Sequence, residues 1–388
     1  MSRLRIMLIA GEPSGDLLGA RLMAALKLHS LGGVDFIGVG GEQMAAQGLT
    51  SLFPMEELSV MGFLEVLPRA RRILGRVKQT VAFAVAERPD AVVTIDSPGF
   101  NFRLARRLKG QGIRLIHFVA PQVWAWKPKR AKTTAQLFDR LLCLLPFEPD
   151  WFTREGLATD FVGHPVVESG AANGNGGLFR QKHGIAADAR IVTVLPGSRE
   201  GEVRRHLPVF RDAMARLQEK IGPFHTVIPT VTGVVAQVRA GVADWPGPVL
   251  VITGQSEKYD AFAASSAALA ASGTVALELA LAGVPSAVAY RVNPITAWLA
   301  RRFITVRFAN LVNILLDRLV VPELIMDDCE PVKLADVVER LLNDPRMRAE
   351  QAAAANQAMA MLGQGGDPPS LRAADVILRV LGQVRPLP

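Results

Sequence analysis

Two short turns in the second half of the chain carry residues that suit a phosphate group. We call them the phosphate turns: Leu195-Pro196-Gly197-Ser198-Arg199 and Ala271-Ser272-Gly273-Thr274. Each turn follows an apolar run and precedes a helical pattern. The first N–H groups of a helix lack intrahelical partners and the helix dipole is positive there, so each turn is predicted to bind an anion. Arg199 adds a planar cation suited to a diphosphate, and Glu278 can accept hydrogen bonds from sugar hydroxyls. The pattern predicts a nucleotide that carries a sugar.

A carboxylate follows the apolar run from Ala91 to Ile95, which is typical of a buried strand. The motif Asp96-Ser97-Pro98-Gly99-Phe100-Asn101 therefore stands at the edge of a parallel sheet where ligands bind. A carboxylate at that edge is a candidate general base for a hydroxyl nucleophile. We predict that Asp96 is the catalytic residue, with capping of the following helix as the alternative.

Three other predicted strand ends carry candidate substrate contacts. In Gly11-Glu12-Pro13-Ser14-Gly15-Asp16, we expect Glu12, Ser14 and Asp16 to contact substrate, although Ser14 or Asp16 could simply cap a helix. The glycine spacing is not that of a dinucleotide fingerprint, which disfavours a dehydrogenase.

Gln122 lies beside Trp124 and Trp126 and is a candidate substrate contact. The two indoles could form a surface on which a sugar or a lipid packs, or they could pack within the protein. His164 is a candidate substrate contact or a structural group.

The segment from Val60 to Lys78 interleaves apolar residues with five cations. Apolar side chains that dip below lipid headgroups, with arginines that meet anionic lipid, are typical of an interfacial segment. The residues predicted to contact an anionic membrane surface are Phe63, Leu64, Leu67, Arg69, Arg71 and Arg72. The alternative is a core-packed helix with a basic outer face.

Composition narrows the class of protein. The chain has 388 residues, a net charge of +8, and nine basic residues but no acid between Arg103 and Lys132. Such a face suits phosphates, but no nucleic-acid-binding motif accompanies it, so nucleic acid is not an expected partner. Cys143 and Cys329 lie far apart, which indicates buried thiols in a reducing compartment. The six histidines are scattered and no Cys-x-x-Cys pair occurs, so neither a metal nor a cofactor is expected.

Strands alternate with helical patterns along the whole chain, which predicts an α/β fold of two Rossmann-like, doubly wound domains facing a cleft. Predicted strands cover residues 4–10, 34–39, 91–95, 114–119, 140–144, 159–162, 191–195, 225–229, 249–252, 267–270 and 286–290. The glycine-rich stretch 170–177 is the predicted linker. It separates an acceptor and membrane-docking domain (1–169) from a nucleotide-sugar domain (178–368), and a C-terminal helix (369–388) is expected to pack back on the first domain.

Read together, these motifs resemble the lipid-A-disaccharide synthase family, glycosyltransferases with the two-Rossmann-domain fold called GT-B. The resemblance covers essentially the full length and rests on seven motifs in the family's order: 11–16, 60–63, 95–101, 121–126, 162–165, 195–199 and 271–274. It implies transfer of 2,3-diacylglucosamine from its UDP derivative to 2,3-diacylglucosamine 1-phosphate, which gives lipid A disaccharide 1-phosphate and UDP. It also implies a cytoplasmic protein held peripherally at the inner face of the cytoplasmic membrane of a Gram-negative cell.

The resemblance assigns roles to residues as well. Asp96 matches a family aspartate that takes the proton of the acceptor 6-hydroxyl, so that one displacement inverts the anomeric carbon. Asn313 matches a family asparagine near the nucleotide. The other residues that match the family's nucleotide side are Ser198, Arg199, Ser272, Gly273, Thr274 and Glu278. The chain departs from the family where Asn310-Leu311-Val312-Asn313 replaces Ser-Leu-Pro-Asn and where Met326 replaces glutamine. Family members form dimers through their C-termini, and the sequence leaves a homodimer open.

Two alternatives remain open from the sequence. One is another enzyme with the same fold, such as a UDP-N-acetylglucosamine 2-epimerase or a different membrane-associated glycosyltransferase. An epimerase would need no segment that faces a bilayer. The other is a non-catalytic protein that binds nucleotide-sugar or lipid, in which Asp96 has no catalytic role.

Overall fold

The computed structural model describes residues 3–58, 66–271, 273–291 and 306–383, with the backbone alone for residues 66–70. Two compact units divide the chain: Met1–Pro165 together with Gly365–Pro388, and Val166–Gln364. The stretch 170–177 lies inside the second unit, where it carries a 3₁₀ helix, Ala171–Asn173. Asn175 then caps the next helix by accepting a hydrogen bond from the amide of Leu178 at 2.9 Å. These glycines permit close backbone packing, and the chain passes from one unit to the other at Pro165.

The first unit is built around a parallel sheet. Its strands are β1 (Leu4–Ala10), β2 (Val34–Val39), β3 (Thr50–Ser51), β4 (Ala91–Ile95), β5 (Arg114–Phe118), β6 (Arg140–Cys143) and β7 (Thr159–Phe161). They lie in the order β3-β2-β1-β4-β5-β6-β7. The helices between them are α1 (Pro13–His29), α2 (Glu42–Ala46), α3 (Val66–Glu87), α4 (Pro98–Leu108), α5 (Arg130–Leu137) and α6 (Pro149–Thr153). Helices cover the sheet, so β1 and β4 read as nearly continuous apolar runs.

The second unit is also built around a parallel sheet. Its strands are β8 (Ile191–Leu195), β9 (His225–Thr230), β10 (Val249–Thr253), β11 (Ala267–Ala270), β12 (Ser286–Tyr290) and β13 (Glu323–Ile325), in the order β10-β9-β8-β11-β12-β13. Its helices are α7 (Gly176–His183), α8 (Glu200–Ile221), α9 (Val235–Gly241), α10 (Gln255–Ala264), α11 (Val275–Leu281), α12 (Leu311–Leu316), α13 (Pro331–Asn343) and α14 (Pro345–Met361). The predicted class, two doubly wound α/β units, is confirmed. The short edge strands β3 and β13 were not predicted, because two or three residues carry no recognisable alternation.

Each sheet has one point at which the strand order reverses. In the first sheet, β1 pairs in parallel with β4, and Ala10 lies opposite Ile95. In the second sheet, β8 pairs with β11, and Leu195 lies opposite Ala270. Ligands of open parallel sheets bind beyond the strand ends at such reversal points. The motifs that follow Ala10 and Ile95 are therefore neighbours, as are the two phosphate turns that follow Leu195 and Ala270.

The C-terminal helix α15 (Pro369–Val380) belongs to the first unit. Its buried face, which includes Ala373 and Ile377, joins the same apolar core as β1 and α1. Asp375 lies 2.6 Å from His29 Nδ1 on α1, and the guanidinium of Arg372 donates to the carbonyl of Phe161 at 2.8 Å. These two contacts connect α15 to α1 and to the end of β7.

Candidate functional site

Asp96 ends β4 in a backbone conformation that costs energy. Its φ is +46° and that of Ser97 is +43°, so two consecutive non-glycine residues occupy the left-handed region. The side-chain amide of buried Asn101 donates to the carbonyls of Ile95 and Asp96, at 3.2 Å and 2.8 Å. Strain held in place by a buried side chain is a feature of functional turns. Asn101 is a residue of this motif whose role the sequence did not reveal.

The environment of Asp96 suits a proton acceptor. Burial raises the pKa of the Asp96 carboxyl above its ordinary value, and a hydrogen bond from the backbone amide of Ser97 opposes this shift. A raised pKa makes the deprotonated carboxylate a stronger base. Gly11 lies against this turn, since a Cβ atom there would come within 2.6 Å of Ser97 Oγ. The motifs after β1 and β4 therefore meet.

The carboxylate of Asp16 accepts hydrogen bonds from backbone amides of the protein itself. The side chain is 4% exposed, and its carboxylate accepts hydrogen bonds from the amides of Gly41, Gln43 and Met44, at 2.8 Å, 2.9 Å and 3.1 Å. These bonds satisfy amides at the start of α2, which is the function of a cap. Glu12 is the residue that precedes α1, and Ser14 is exposed in its first turn. Substrate contacts by Glu12, Ser14 and Asp16 stay predictions.

Trp124 is anchored by a glutamate that the sequence did not single out. Its indole Nε1 donates to Glu148 Oε1 at 3.1 Å, and Glu148 also accepts from the amides of Leu144 and Leu145. Burial raises the pKa of Glu148 to about 7. Gln122, at the start of this loop, is exposed. The loop after β5 is therefore attached to the loop after β6, with Gln122 directed to solvent.

His164 is buried after β7. Burial lowers the pKa of His164 to about 4, so its imidazole is neutral near pH 7. A neutral ring can donate or accept a hydrogen bond but does not supply a positive charge to a phosphate. A base or hydrogen-bonding contact with substrate stays a prediction for this residue.

A cavity of about 500 Å³ lies in the second unit at the ends of β8 and β11. This volume is in the range of small-molecule sites. Of the predicted nucleotide-binding residues, the cavity is lined by Ser198, Gly273, Thr274 and Glu278. Ser272 lies outside the described residues. The two phosphate turns and Glu278, the predicted sugar-binding carboxylate, thus share one concave surface, as expected from their place at the strand reversal.

The first phosphate turn leads into α8 through Gly197 and Arg199. Gly197 has a φ of +118°, and a Cβ atom there would come within 2.6 Å of Glu202, so only glycine fits without strain. Glu202 accepts a hydrogen bond from the amide of Ser198 at 3.2 Å. The guanidinium of Arg199, 59% exposed, lies 3.5 Å from the same carboxylate. Arg199 is therefore held only loosely, and it is not among the residues that line the cavity, so its contact with a diphosphate stays a prediction.

Glu278 is paired within the cavity. Its carboxylate accepts from Lys258 Nζ at 2.8 Å and 3.0 Å and from the hydroxyl of Tyr259 at 2.9 Å. Lys258 also lines the cavity, so a cation stands beside the predicted sugar-binding carboxylate. Lys258 lies 20 positions before Glu278 and on another helix, and no local pattern relates them. Its role is visible only in the folded chain.

All hydrogen-bonding positions of the Asn313 side chain are occupied by groups of the protein. It is buried, its Nδ2 donates to Val321 O and Glu323 Oε1, and its Oδ1 accepts from the amides of Val320 and Val321, all at 2.7–2.9 Å. An asparagine side chain offers two donors and two acceptor sites, and all four are occupied. Asn313 does not line the cavity and holds the loop before β13 in this structure. A nucleotide contact by this side chain stays a prediction.

The residues predicted to meet a membrane are described in part. Phe63 and Leu64 lie outside the described residues, as do the side chains of Leu67 and Arg69. Arg71 and Arg72 are exposed on α3. Further along that helix, Arg76 makes a two-point ion pair with Glu57, with distances of 2.7 Å and 2.9 Å, and so anchors α3 to the preceding segment.

Two structural features of the described residues bear on metals and membranes. No three His, Cys, Asp or Glu side chains are grouped there in an arrangement that could hold a metal ion. None of the described helices is both long enough and apolar enough to span a bilayer.

We expect Glu278→Gln to lower the affinity for UDP about tenfold and to leave that for 2′,3′-dideoxy-UDP nearly unchanged. A hydrogen bond to a charged acceptor contributes roughly 1.5–3 kcal/mol, and only the ribose hydroxyls of UDP can donate it. Isothermal titration calorimetry with both nucleotides measures the difference. Glu219→Gln, on the exposed face of α8, is the matched control. An equal loss for both nucleotides would remove Glu278 from the ribose site.

The fold and the two strand reversals define a class of protein. The chain resembles the UDP-GlcNAc 2-epimerase of Neisseria meningitidis bound to UDP-GlcNAc, with a TM-score of 0.62, 14% identity, and 99% of this chain and 100% of the other covered. It also resembles MurG of Acinetobacter baumannii, with a TM-score of 0.56, 16% identity, and 98% and 100% covered. At these identities the likeness shows the fold, which is that of GT-B glycosyltransferases and related epimerases.

Sequence comparison identifies the family within this class. The family description Lipid-A-disaccharide synthetase matches residues 6–366. The Lipid-A-disaccharide synthase of Rhodospirillum centenum is 55% identical over 383 residues, covering 98% of this chain and 96% of that protein. The enzyme of the same name from Paramagnetospirillum magneticum is 54% identical over 382 residues, covering 97% and 98%. The chain belongs to the lipid-A-disaccharide synthase family and is a glycosyltransferase, which confirms the resemblance predicted from its motifs.

Proposed function

We propose that this chain transfers 2,3-diacylglucosamine from its UDP derivative to 2,3-diacylglucosamine 1-phosphate. The acceptor 6-hydroxyl oxygen attacks the anomeric carbon, the bond from that carbon to the UDP oxygen breaks, and the hydroxyl proton passes to the Asp96 carboxylate. The products are the β-1,6-linked lipid A disaccharide 1-phosphate and UDP. The observation that carries this proposal is the match to the family over residues 6–366.

The geometry of the second unit supports a UDP-sugar donor. Its cavity combines the ends of two phosphate turns with Lys258 and Glu278, a cation and a carboxylate that suit phosphate and ribose. Arg199 is free to move toward a diphosphate because its guanidinium is exposed and its ion pair with Glu202 is long. Charge that develops on the departing UDP is stabilised by that guanidinium and by the amides at the start of α8.

The geometry of the first unit supports a general base. Asp96 stands at the strand reversal on a strained turn, and burial raises its pKa. Glu12, Gln122 and His164 follow β1, β5 and β7 at the same edge of the parallel sheet, and Ser14 lies in the first turn of α1. We assign all four to the acceptor side. The epimerase alternative draws support from the fold alone, whereas the glycosyltransferase assignment also has the sequence match.

Mass spectrometry of the products tests the reaction. The purified chain is incubated with UDP-2,3-diacylglucosamine and 2,3-diacylglucosamine 1-phosphate, and we expect a disaccharide monophosphate together with one UDP for each disaccharide. UDP release only in the presence of the acceptor separates transfer from hydrolysis. Conversion of UDP-N-acetylglucosamine to its 2-epimer, or binding without turnover, would overturn the proposal.

We further propose that α3 and the segment before it dock on an anionic membrane, where both acylated substrates reside. Arg71, Arg72 and Lys78 are exposed on α3, and Leu74 is 43% exposed beside them. Cations next to exposed apolar side chains are the composition of an interfacial helix. Each Lys or Arg near an anionic surface contributes about 1 kcal/mol of attraction. We place this docking surface at the cytoplasmic face of the inner membrane.

The family resemblance implies a homodimer, and light scattering of the purified chain tests it.

Replacing Phe63, Leu64 and Leu67 together by serine is expected to release the protein from anionic vesicles, because the apolar part of the contact is lost. Cosedimentation with phosphatidylglycerol vesicles measures the bound fraction, and we expect it to fall at least fivefold. Leu28→Ser, an exposed apolar position on α1, serves as the control. Undiminished cosedimentation of the triple variant would place these side chains away from the membrane.

A further inference from the structure

His206 connects the backbone that follows β8 with the backbone that follows β12. The residue is fully buried in the second turn of α8 and is not part of the cavity lining. Its Nδ1 lies 2.8 Å from the carbonyl oxygen of Pro196, just after β8. The backbone amide of Arg291, just after β12, donates to its Nε2 at 3.0 Å. One imidazole therefore connects two loops that lie 95 positions apart in the chain.

These two contacts determine the tautomer of the ring. A backbone amide can only donate, so Nε2 must be the acceptor and carries no proton. A carbonyl oxygen can only accept, so Nδ1 must carry the proton that it donates to Pro196. Burial lowers the pKa of His206, which keeps the ring neutral and compatible with both contacts. The ring also stacks on Phe210 at 5.5 Å and contacts Tyr290 at 5.2 Å, so its plane cannot turn freely.

Neighbouring residues of α8 reinforce the same connection. Arg205 donates to the carbonyl of Arg291 at 3.2 Å, and Glu202 accepts from the hydroxyl of Tyr290 at 3.2 Å. Glu202 also accepts from the amide of Ser198. The first two turns of α8 thus hold the end of β12 and the phosphate turn by side-chain contacts to both. His206 is the member that contacts backbone at each end.

The contact with Pro196 sets the direction of the next amide. In a planar trans peptide the C=O and N–H groups point in opposite directions. When the Pro196 carbonyl is drawn toward the buried ring, the Gly197 amide must point away from it. Gly197 and Ser198 both line the cavity, whereas His206 lies behind the turn. Gly197 has a positive φ, a region in which glycine has several accessible conformations, so the turn needs an external contact to hold one of them.

We propose that His206 is a positioning residue of the diphosphate site, which fixes the Pro196–Gly197 peptide plane so that its N–H faces the bound diphosphate. The inference rests on the proposed UDP-sugar function and adds to it a residue that does not touch the ligand. The Nδ1-protonated tautomer is the feature on which this role depends. A ring that merely filled space would not need either tautomer.

Two variants separate hydrogen bonding from packing. His206→Phe keeps a ring between Phe210 and Tyr290 but removes both hydrogen bonds. His206→Asn places a side-chain amide where Nδ1 stands and so retains a donor for Pro196. We expect the Phe variant to bind UDP about tenfold more weakly by calorimetry and the Asn variant to remain within threefold of the wild type. Acceptor KM should stay unchanged in both variants. Equal UDP affinity for the wild type and the Phe variant would overturn the inference.

Nitrogen-15 NMR of the wild-type chain tests the tautomer directly. In protein labelled with nitrogen-15 at its histidines, the ring whose signals disappear in the Asn variant is His206, and we expect it to be neutral and protonated at Nδ1. A ring protonated at Nε2 would overturn the inference. Failure of the wild type to bind UDP would overturn the proposed function and the inference with it. Wild-type binding with an unaffected Phe variant would overturn the inference alone.

Discussion

Asp96→Asn is expected to abolish most of the glycosyl transfer, with kcat reduced roughly 10²- to 10⁴-fold, the usual contribution of a general base. Asparagine is the informative replacement because it tolerates the left-handed backbone that residue 96 adopts, whereas alanine would add strain. The amide cannot take the proton of the attacking hydroxyl. Initial rates of UDP release with saturating substrates measure the loss, and UDP affinity should be unchanged because the nucleotide residues lie in the other unit.

Asp150→Asn, an exposed aspartate at the start of α6, is the control and should retain full activity. The pH profile of the wild type adds a second readout. A base must be deprotonated to act, and burial raises the pKa of Asp96. Activity should therefore fall as the pH decreases through that raised value, so the acid limb lies above the range of an ordinary aspartate. Wild-type rates in the Asn variant would rule out this role for Asp96.

Arg199→Ala is expected to weaken UDP binding roughly 10- to 100-fold. A hydrogen bond to a charged group contributes about 1.5–3 kcal/mol, and each 1.4 kcal/mol is about a factor of ten in affinity. The melting temperature should hardly change, because the guanidinium is exposed and its ion pair with Glu202 is long. Calorimetric titration with UDP gives the dissociation constant.

Arg204→Ala is the matched control, since Arg204 is an exposed arginine of the same helix. It removes the same charge without removing a group from the phosphate turn. A parallel loss in the two variants would indicate a general electrostatic effect of α8. Unchanged UDP binding in Arg199→Ala alone would count against the diphosphate assignment.

The strands that position the site were readable from the sequence. Ile191–Leu195 and Ala267–Ala270 are short apolar runs, each followed by small residues and a helical pattern, and both are strands with the predicted bounds. Burial on two faces requires a run without polar interruption, so this signal is local. The 3₁₀ helix within stretch 170–177 was not predicted, because glycine content alone does not reveal that α10 packs against it.

Side-chain roles were less predictable than strands. Asp16 and Asn313 have the residue types of ligand contacts, yet their hydrogen bonds go to other groups of the protein: Asp16 holds amides of the loop before α2, and Asn313 holds the loop before β13 and Glu323. Lys258 and His206 were not predicted, although one pairs with Glu278 and the other holds the phosphate turn. A hydrogen-bonding partner can come from any part of the chain, and no spacing rule reports it.

The α/β class, the apolar runs that become strands, and the residues that follow them were readable from the sequence alone: an aspartate, two turns suited to an anion, and an arginine. These features depend on neighbours along the chain, and local patterns of polarity record them. The folded chain sets which strands lie side by side, and hence that the turns after β8 and β11 share one cavity. It also decided which polar groups remain available to a ligand, because that depends on hydrogen bonds formed between residues far apart in sequence.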